Sequence, residues 1–197
     1  MAAAILFGMM RSPTLLLGVL LLFALALPGP VSARERRHRV VHHPAATTSP
    51  TIRLGGAGSW NAYDYKGKSG LVCYLISDPS KTEPLHARRK APIAMVTHRP
   101  AEKVFDVVSF VEGYLLKKGS DVSLDINGKT FDMFADGDTA WSRTSDTDKE
   151  IVATMTKGRT AVVKGTPEKG PPTTDTYSLA GFSRALALID KACGVKH

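Results

Sequence analysis

The hydrophobic pattern at the start of the chain differs from everything that follows it. An apolar run of 13 residues, Leu15–Leu27, follows Arg11 and is ended by Pro28, and small residues then lead to Ala33. A positive residue, a short apolar stretch and a small-residue cleavage site are the parts of a secretory signal peptide. We therefore predict that residues 1–33 are a signal peptide cleaved after Ala33. The alternative is an uncleaved anchor, although a bilayer span needs about 20 apolar residues.

Patterns typical of strands dominate the next part of the chain. Ser59–Tyr65 is rich in aromatic residues, and after a glycine-containing turn Leu71–Ile76 forms an unbroken apolar run of strand length. Such a run is typical of a central strand that is buried on both faces. Ile93–Thr97 and Val104–Val111 are two further candidate strands.

The pair Asn127-Gly128 is the clearest local signal in the sequence. Asn-Gly readily adopts the two positive φ angles of a type I′ turn between antiparallel strands. The turn would pair three residues of one strand with three of the next: Ile126 with Lys129, Leu124 with Phe131 and Val122 with Met133. One face of this predicted hairpin is mostly apolar and the other is mostly polar, as in a half-buried strand pair.

Two later segments have the spacing of amphipathic helices. Asp146–Lys157 carries its apolar residues on one side, and Gly181–Ala192 does the same, with Cys193 continuing its apolar face. Between them we predict a short strand at Thr160–Lys164 and a loop at Gly165–Asp175. Because strands and helices do not alternate regularly, we predict a mainly β fold, an antiparallel sandwich with one or two packed helices.

Charge distinguishes a basic segment from the predicted domain. The chain has a net charge of +8, and residues 34–53 hold five arginines and one glutamate without apolar periodicity. This composition predicts a disordered linker, followed by one folded domain over residues 54–197. The basic segment either binds an anionic membrane surface or is a solvated linker. Nucleic acid is not predicted as a partner, because no aromatic residues lie among the arginines.

The chain has two cysteines, Cys73 and Cys193, which are 120 positions apart. An even number of cysteines in an exported protein predicts a disulfide. The bond would attach the second predicted helix to a central strand. Two buried free thiols are the alternative.

Motifs for known chemistry are absent from the sequence. It contains no nucleophile elbow, no phosphate-binding glycine loop and no zinc-protease motif. The histidines His38, His42 and His43 would bind a transition metal only weakly, and a solvated tail is the favoured interpretation. His86 and His98 are lone histidines beside predicted loops. We therefore assign no catalytic, cofactor-binding or metal-binding residue.

Three large aromatic residues, Trp60, Trp141 and Tyr177, are the candidates for partner binding. On a surface, such residues stack on sugar rings or anchor a protein partner. In a core they contribute packing, which is the more ordinary role of tryptophan. Both alternatives stay open at the level of sequence.

Five short blocks of sequence together indicate a family. They are Gly58-Ser59-Trp60, Leu71-Val72-Cys73-Tyr74, Arg88-Arg89-Lys90-Ala91-Pro92, Asp175-Thr176-Tyr177-Ser178-Leu179-Ala180-Gly181-Phe182 and Ala192-Cys193. In order and spacing these blocks resemble the invasion-associated locus B proteins, which are exported proteins of alphaproteobacteria. The likeness runs from about Ser59 to Cys193.

The resemblance implies an immunoglobulin-like β-sandwich in the periplasm, at the outer membrane or secreted. The family is named for a role in the invasion of host cells and has no assigned reaction or cofactor. It therefore implies a non-enzymatic envelope protein that binds a protein or glycan of the envelope or of a host. The alternative is an enzyme, or a regulator of one, that acts on peptidoglycan or another glycan.

Overall fold

The computed structural model describes residues 49–85 and 89–197, so the predicted signal peptide and most of the basic segment lie outside the described residues. Among the described residues, no helix is both long and apolar enough to cross a bilayer. The strands of this part are β1 Ile52–Ala57, β2 Trp60–Lys66, β3 Leu71–Ser77, β4 Lys81–Glu83, β5 Ile93–Arg99, β6 Val104–Val111, β7 Asp121–Ile126, β8 Lys129–Asp136, β9 Thr139–Trp141, β10 Thr160–Gly165 and β11 Thr173–Ser178. The helices are α1 Ser145–Lys157 and α2 Phe182–Cys193, with a short 3-10 turn at Pro100–Glu102.

The strands form one continuous sheet in the order β1-β2-β3-β5-β6-β9-β8-β7-β10-β11-β4, and neighbouring strands are antiparallel. The two halves of the sheet face each other, because the ring of Phe110 on β6 lies 5.5 Å from that of Tyr177 on β11. The mainly β, antiparallel prediction is confirmed, and two helices accompany the sheet. An immunoglobulin fold has two separate sheets, whereas these strands are continuous. The immunoglobulin-like arrangement is therefore not confirmed.

The hairpin predicted at Asn127-Gly128 is confirmed in turn and register. Asn127 has a φ of 52° and Gly128 a φ of 89°, as a type I′ turn requires. The strands pair as predicted: Ile126 with Lys129, Leu124 with Phe131 and Val122 with Met133. The side chain of Asp125 strengthens the turn by accepting a hydrogen bond from the Gly128 amide at 3.0 Å.

Helix α1 begins one residue before its predicted start. Thr144 caps it, because its hydroxyl oxygen accepts a hydrogen bond from the amide of Thr147 at 3.1 Å. Such caps satisfy amides that have no partner within the helix. Asp148 is buried and accepts from the amide of Val108 at 2.8 Å, so the first turn of α1 is bonded directly to β6.

Helix α2 is attached to the sheet by a disulfide between Cys73 and Cys193. Cys73 lies on the buried face of β3, and Gly194 ends the helix in the left-handed conformation. Phe182, Ala185, Leu186 and Ile189 are buried on the same helix. The amphipathic spacing of this helix therefore identified both its extent and the direction of its cysteine.

Strands β1, β4, β9 and β11 lie where no strand is predicted. β1 begins at Ile52, so the fold starts before the predicted boundary at Leu54 and includes Arg53, whose guanidinium donates to Asn61 on β2 at 2.8 Å. β11 overlaps the loop predicted at Gly165–Asp175. Its inward positions are Thr173, Asp175 and Tyr177, so the apolar alternation that marks a strand is missing there.

Candidate functional site

An apolar and aromatic surface covers the outer face of β2, β3, β5, β6 and β9. Strand residues alternate between faces, so Val72 and Tyr74 point away from the core that contains Cys73 and helix α2. The surface borders a shallow groove of about 380 Å³. We call this the aromatic surface, and it consists of Tyr65, Val72, Tyr74, Met95, Thr97, Arg99, Ser109, Val111, Thr139 and Trp141.

Three tyrosines make one end of this surface rigid. The ring of Tyr74 stacks on that of Tyr63 with centroids 5.4 Å apart, and it meets Tyr65 edge-on at 6.1 Å. These contacts hold large flat side chains in place while all three remain partly exposed. Exposed aromatic groups that are already ordered lose little entropy when a partner binds.

The unbroken apolar run at Leu71–Ile76 is buried on one face only. Cys73 and Leu75 are fully buried, whereas Val72, Tyr74 and Ile76 on the opposite face are half-buried. Contiguous apolar surface on a folded domain typically marks an interaction site. The prediction that this strand is buried on both faces is therefore wrong, because only alternate residues face the core.

The described residues that line the aromatic surface include no carboxylate and no imidazole. Among the described residues that line the groove, the polar groups are the hydroxyls of serine, threonine and tyrosine, the indole N–H of Trp141 and one guanidinium. That guanidinium, Arg99, donates to Glu102 at 2.8 Å. General acid–base catalysis most often uses histidine, followed by carboxylates and a few other side chains. This groove offers contact area and a positive charge.

The three aromatic residues singled out in the sequence have different positions. Trp141 lies in the aromatic surface, opposite Ser109 on β6. Trp60 and Tyr177 are fully buried, and their proposed role in partner binding is wrong because no partner can reach them. Trp60 instead packs edge-on against Phe182 at 4.9 Å and donates from Nε1 to the carbonyl oxygen of Ser178 at 2.9 Å.

A buried ionic cluster joins Arg89, Glu112 and Asp175. The Arg89 guanidinium bonds both carboxylates, and its Nε donates to the carbonyl oxygen of Glu112 at 2.5 Å. Thr82 donates to Asp175 at 2.7 Å, and the Tyr114 hydroxyl donates to Glu112 at 3.0 Å. The guanidinium also lies over the ring of Tyr114, with 4.8 Å between Cζ and the ring centroid.

Burial raises the pKa of Glu112 to about 7, and the neighbouring carboxylate of Asp175 adds to the shift while Arg89 opposes it. The side chain of Arg89 is 4% exposed, and those of Glu112 and Asp175 are 0% exposed. A perturbed carboxyl often marks an active site, but a substrate has no access to these atoms. The ionic cluster therefore has a structural role, joining two of the sequence blocks at Arg89 and Asp175.

A second cluster of titratable groups lies beside the disulfide. His98 is fully buried on β5, opposite Cys73 on β3, so its description as a lone histidine is wrong. Its Nε2 lies 3.0 Å from Asp190 of α2, and His197 lies 3.1 Å from the same carboxylate oxygen. Asp106 of β6 completes this histidine–aspartate cluster. The four residues are too widely spaced along the chain for a sequence motif to reveal them.

These features define a class of protein, a mainly β domain with a disulfide-anchored helix and a partly exposed aromatic surface. A model of the family described as "Invasion associated locus B (IalB) protein" matches residues 60–190. The chain therefore belongs to the invasion associated locus B family, as the five sequence blocks indicated.

A solved structure agrees with this assignment at the level of fold. The chain is similar to the crystal structure of invasion associated protein B from Bartonella henselae, with 16% sequence identity and a TM-score of 0.50. The match covers 72% of this chain and 97% of the Bartonella chain. A comparison with curated proteins found no match.

Proposed function

We propose that this protein is an exported, non-enzymatic protein of the cell envelope that binds another protein through the aromatic surface. The observation that carries the proposal is the apolar outer face of β3 and β5, which remains half-exposed among the described residues. Its rigid aromatic groups and single guanidinium are suited to recognition.

The composition of the aromatic surface favours a protein over a glycan. Tyrosine, tryptophan, methionine and arginine are the residue types enriched in protein interfaces, and Tyr74, Met95, Arg99 and Trp141 supply one of each. Sugar hydroxyls are usually bound by a few precisely placed polar groups, whereas most of this lining is apolar or hydroxylic.

Export to an oxidising compartment is supported by two separate features. The pattern over residues 1–33 has the parts of a signal peptide. The bond between Cys73 and Cys193 is of a kind that persists in the periplasm or outside the cell. The partner is therefore a protein of the envelope or, in keeping with the family's name, of a host cell.

The rival function is an enzyme, or a regulator of one, that acts on peptidoglycan or another glycan. Glu112 and Asp175 are a close pair of carboxylates, but both are enclosed in the ionic cluster. Hydrolysis of a cell-wall substrate by the purified protein at ordinary turnover would replace our proposal with this one.

The test compares capture of crosslinked partners by three forms of the protein in native envelope and in host-cell extract. Met95→Arg places a charge in the centre of the aromatic surface. Thr130→Arg adds the same charge at an exposed position of β8 and is the matched control. We expect one protein partner to be captured by the wild type and the control and lost with Met95→Arg, while all three show the same circular dichroism. Equal capture by all three would overturn the proposal.

A further inference from the structure

We propose that Asp106, Asp190 and His197 bind a divalent transition-metal cation, with His98 as a positioning residue for Asp190. The site is separate from the aromatic surface, because it lies where β5, β6 and helix α2 meet. It depends on neither the partner nor the function proposed above.

Asp106 is the residue that first points to a ligand. Its side chain is 5% exposed, and its Oδ1 atom is buried without a hydrogen-bond partner. An unsatisfied buried carboxylate oxygen is costly. This atom lies 3.6 Å from Nε2 of His197, which itself lies 3.1 Å from Oδ1 of Asp190. Nε2 of His197 is therefore close to a carboxylate oxygen of β6 and to one of helix α2.

His98 is held in one tautomer by the backbone. Its Nδ1 accepts a hydrogen bond from the amide of Asp106 at 3.0 Å, so the ring proton is on Nε2. That proton is donated to Oδ1 of Asp190 at 3.0 Å. His98 therefore has no free lone pair for the cation and instead orients the aspartate. Outer-shell groups of this kind are common around metal-binding residues.

Charge and spacing suit a divalent ion. Two carboxylates and a neutral imidazole carry two negative charges, which the cation would neutralise. Ligand atoms bound at about 2.0–2.2 Å in tetrahedral geometry are separated by about 3.4 Å, and Nε2 of His197 lies 3.6 Å from Oδ1 of Asp106 and 3.1 Å from Oδ1 of Asp190. Mixed imidazole and carboxylate ligands are compatible with zinc or a similar first-row ion. Nε2 of His197 would coordinate the ion through its lone pair, in the neutral tautomer that carries the ring proton on Nδ1.

The histidine–aspartate cluster is accessible to ions, and the nearby disulfide holds its helix in place. The side chain of His197 is 40% exposed, which leaves a route for the ion and room for a water ligand. Cys193 follows Asp190 by one helical turn, and its disulfide partner Cys73 lies opposite His98. The disulfide therefore fixes the helix that carries one ligand against the strand that carries the positioning residue.

The test is a zinc titration of the oxidised protein by calorimetry, followed by the absorption spectrum of the cobalt-loaded protein. His38, His42 and His43 are replaced by alanine throughout, so that the basic segment does not contribute. We expect one zinc ion per chain, a raised unfolding temperature and a cobalt spectrum of low coordination number. Asp106→Asn is the chosen ligand variant, because asparagine also tolerates the positive φ of 59° found at this position.

Loss of an outer-shell partner typically costs about 10- to 100-fold in metal affinity, so Asp106→Asn and His197→Ala, which change ligands, should each weaken zinc binding at least as much. Asp132→Asn, on the exposed face of β8, is the matched control and should leave zinc binding unchanged. An absence of stoichiometric binding, or an affinity that neither ligand variant changes, would overturn the proposal.

Discussion

The stability of the fold depends on whether Glu112 is protonated. Its side chain is fully buried between Arg89, Asp175 and Tyr114. In the folded protein its pKa is raised from 4.5 to about 7, so the folded state retains a proton that the unfolded state releases. The resulting stabilisation is complete below about pH 4.5 and is lost as the pH rises through about 7.

We therefore predict that the free energy of unfolding falls between pH 4.5 and pH 8 by up to roughly 3 kcal/mol. Urea titrations at a series of fixed pH values measure this free energy. Glu112→Gln removes this dependence, whereas Glu168→Gln at an exposed loop position retains it. A pH profile that Glu112→Gln leaves unchanged would show that another group is responsible.

Two glycines with the same φ angle allow the energetic cost of close packing to be distinguished from that of backbone strain. Gly181 and Gly128 both have a φ of 89°. A Cβ atom at Gly181 would come within 2.3 Å of the carbonyl oxygen of Ala57, whereas a Cβ at Gly128 meets no atom within 4 Å. Glycine is therefore required at position 181, because α2 starts directly against the turn after β1.

Gly128→Ala should cost about 1–2 kcal/mol of stability, which is the strain of a left-handed residue. Gly181→Ala should destabilise the protein clearly more, because the backbone strain and the clash with the Ala57 carbonyl oxygen both contribute. Urea unfolding of both variants measures the difference. Equal losses would indicate that the contact with Ala57 relaxes without penalty.

At the scale of elements, the disulfide determines how firmly α2 is held. It closes a loop over a sequence separation of 120 residues, for which the chain-entropy model gives roughly 4–5 kcal/mol. We expect Cys73→Ser with Cys193→Ser to lose stability of this order in denaturant titrations. Mass spectrometry of the unreduced protein provides the check, since two free thiols would contradict the bond.

The sequence predicts those elements whose signal is local. The hairpin depends on Asn127-Gly128 alone, and α2 on its own apolar spacing, so both were predicted closely. β11 is not predicted from the sequence because Asp175 faces inward. Burial of this carboxylate becomes favourable only when it pairs with Arg89, which comes from a distant segment of the chain. The histidine–aspartate cluster is not predicted for the same reason, because its residues are brought together from β5, β6 and α2 only in the folded protein.

At the scale of the whole molecule, the basic segment is proposed to attach the domain to anionic membranes. Because β1 begins at Ile52, residues 34–48 are the part that can be removed without touching a strand. We predict that a chain of residues 49–197 binds anionic lipid vesicles more weakly than one of residues 34–197, with the difference largest at low salt. Neutral vesicles are the control. Equal binding at low salt would place any attachment elsewhere.

We propose that the aromatic surface is the face that contacts a protein partner. The most direct measurement places a photocrosslinking amino acid at Trp141 in one variant and at Asp132, on the exposed face of β8, in another. After irradiation in the native envelope or on host cells, we predict one specific crosslinked protein from position 141 and none from position 132. Crosslinks of equal yield from both positions, or a partner found only from position 132, would show that the aromatic surface is not the binding face.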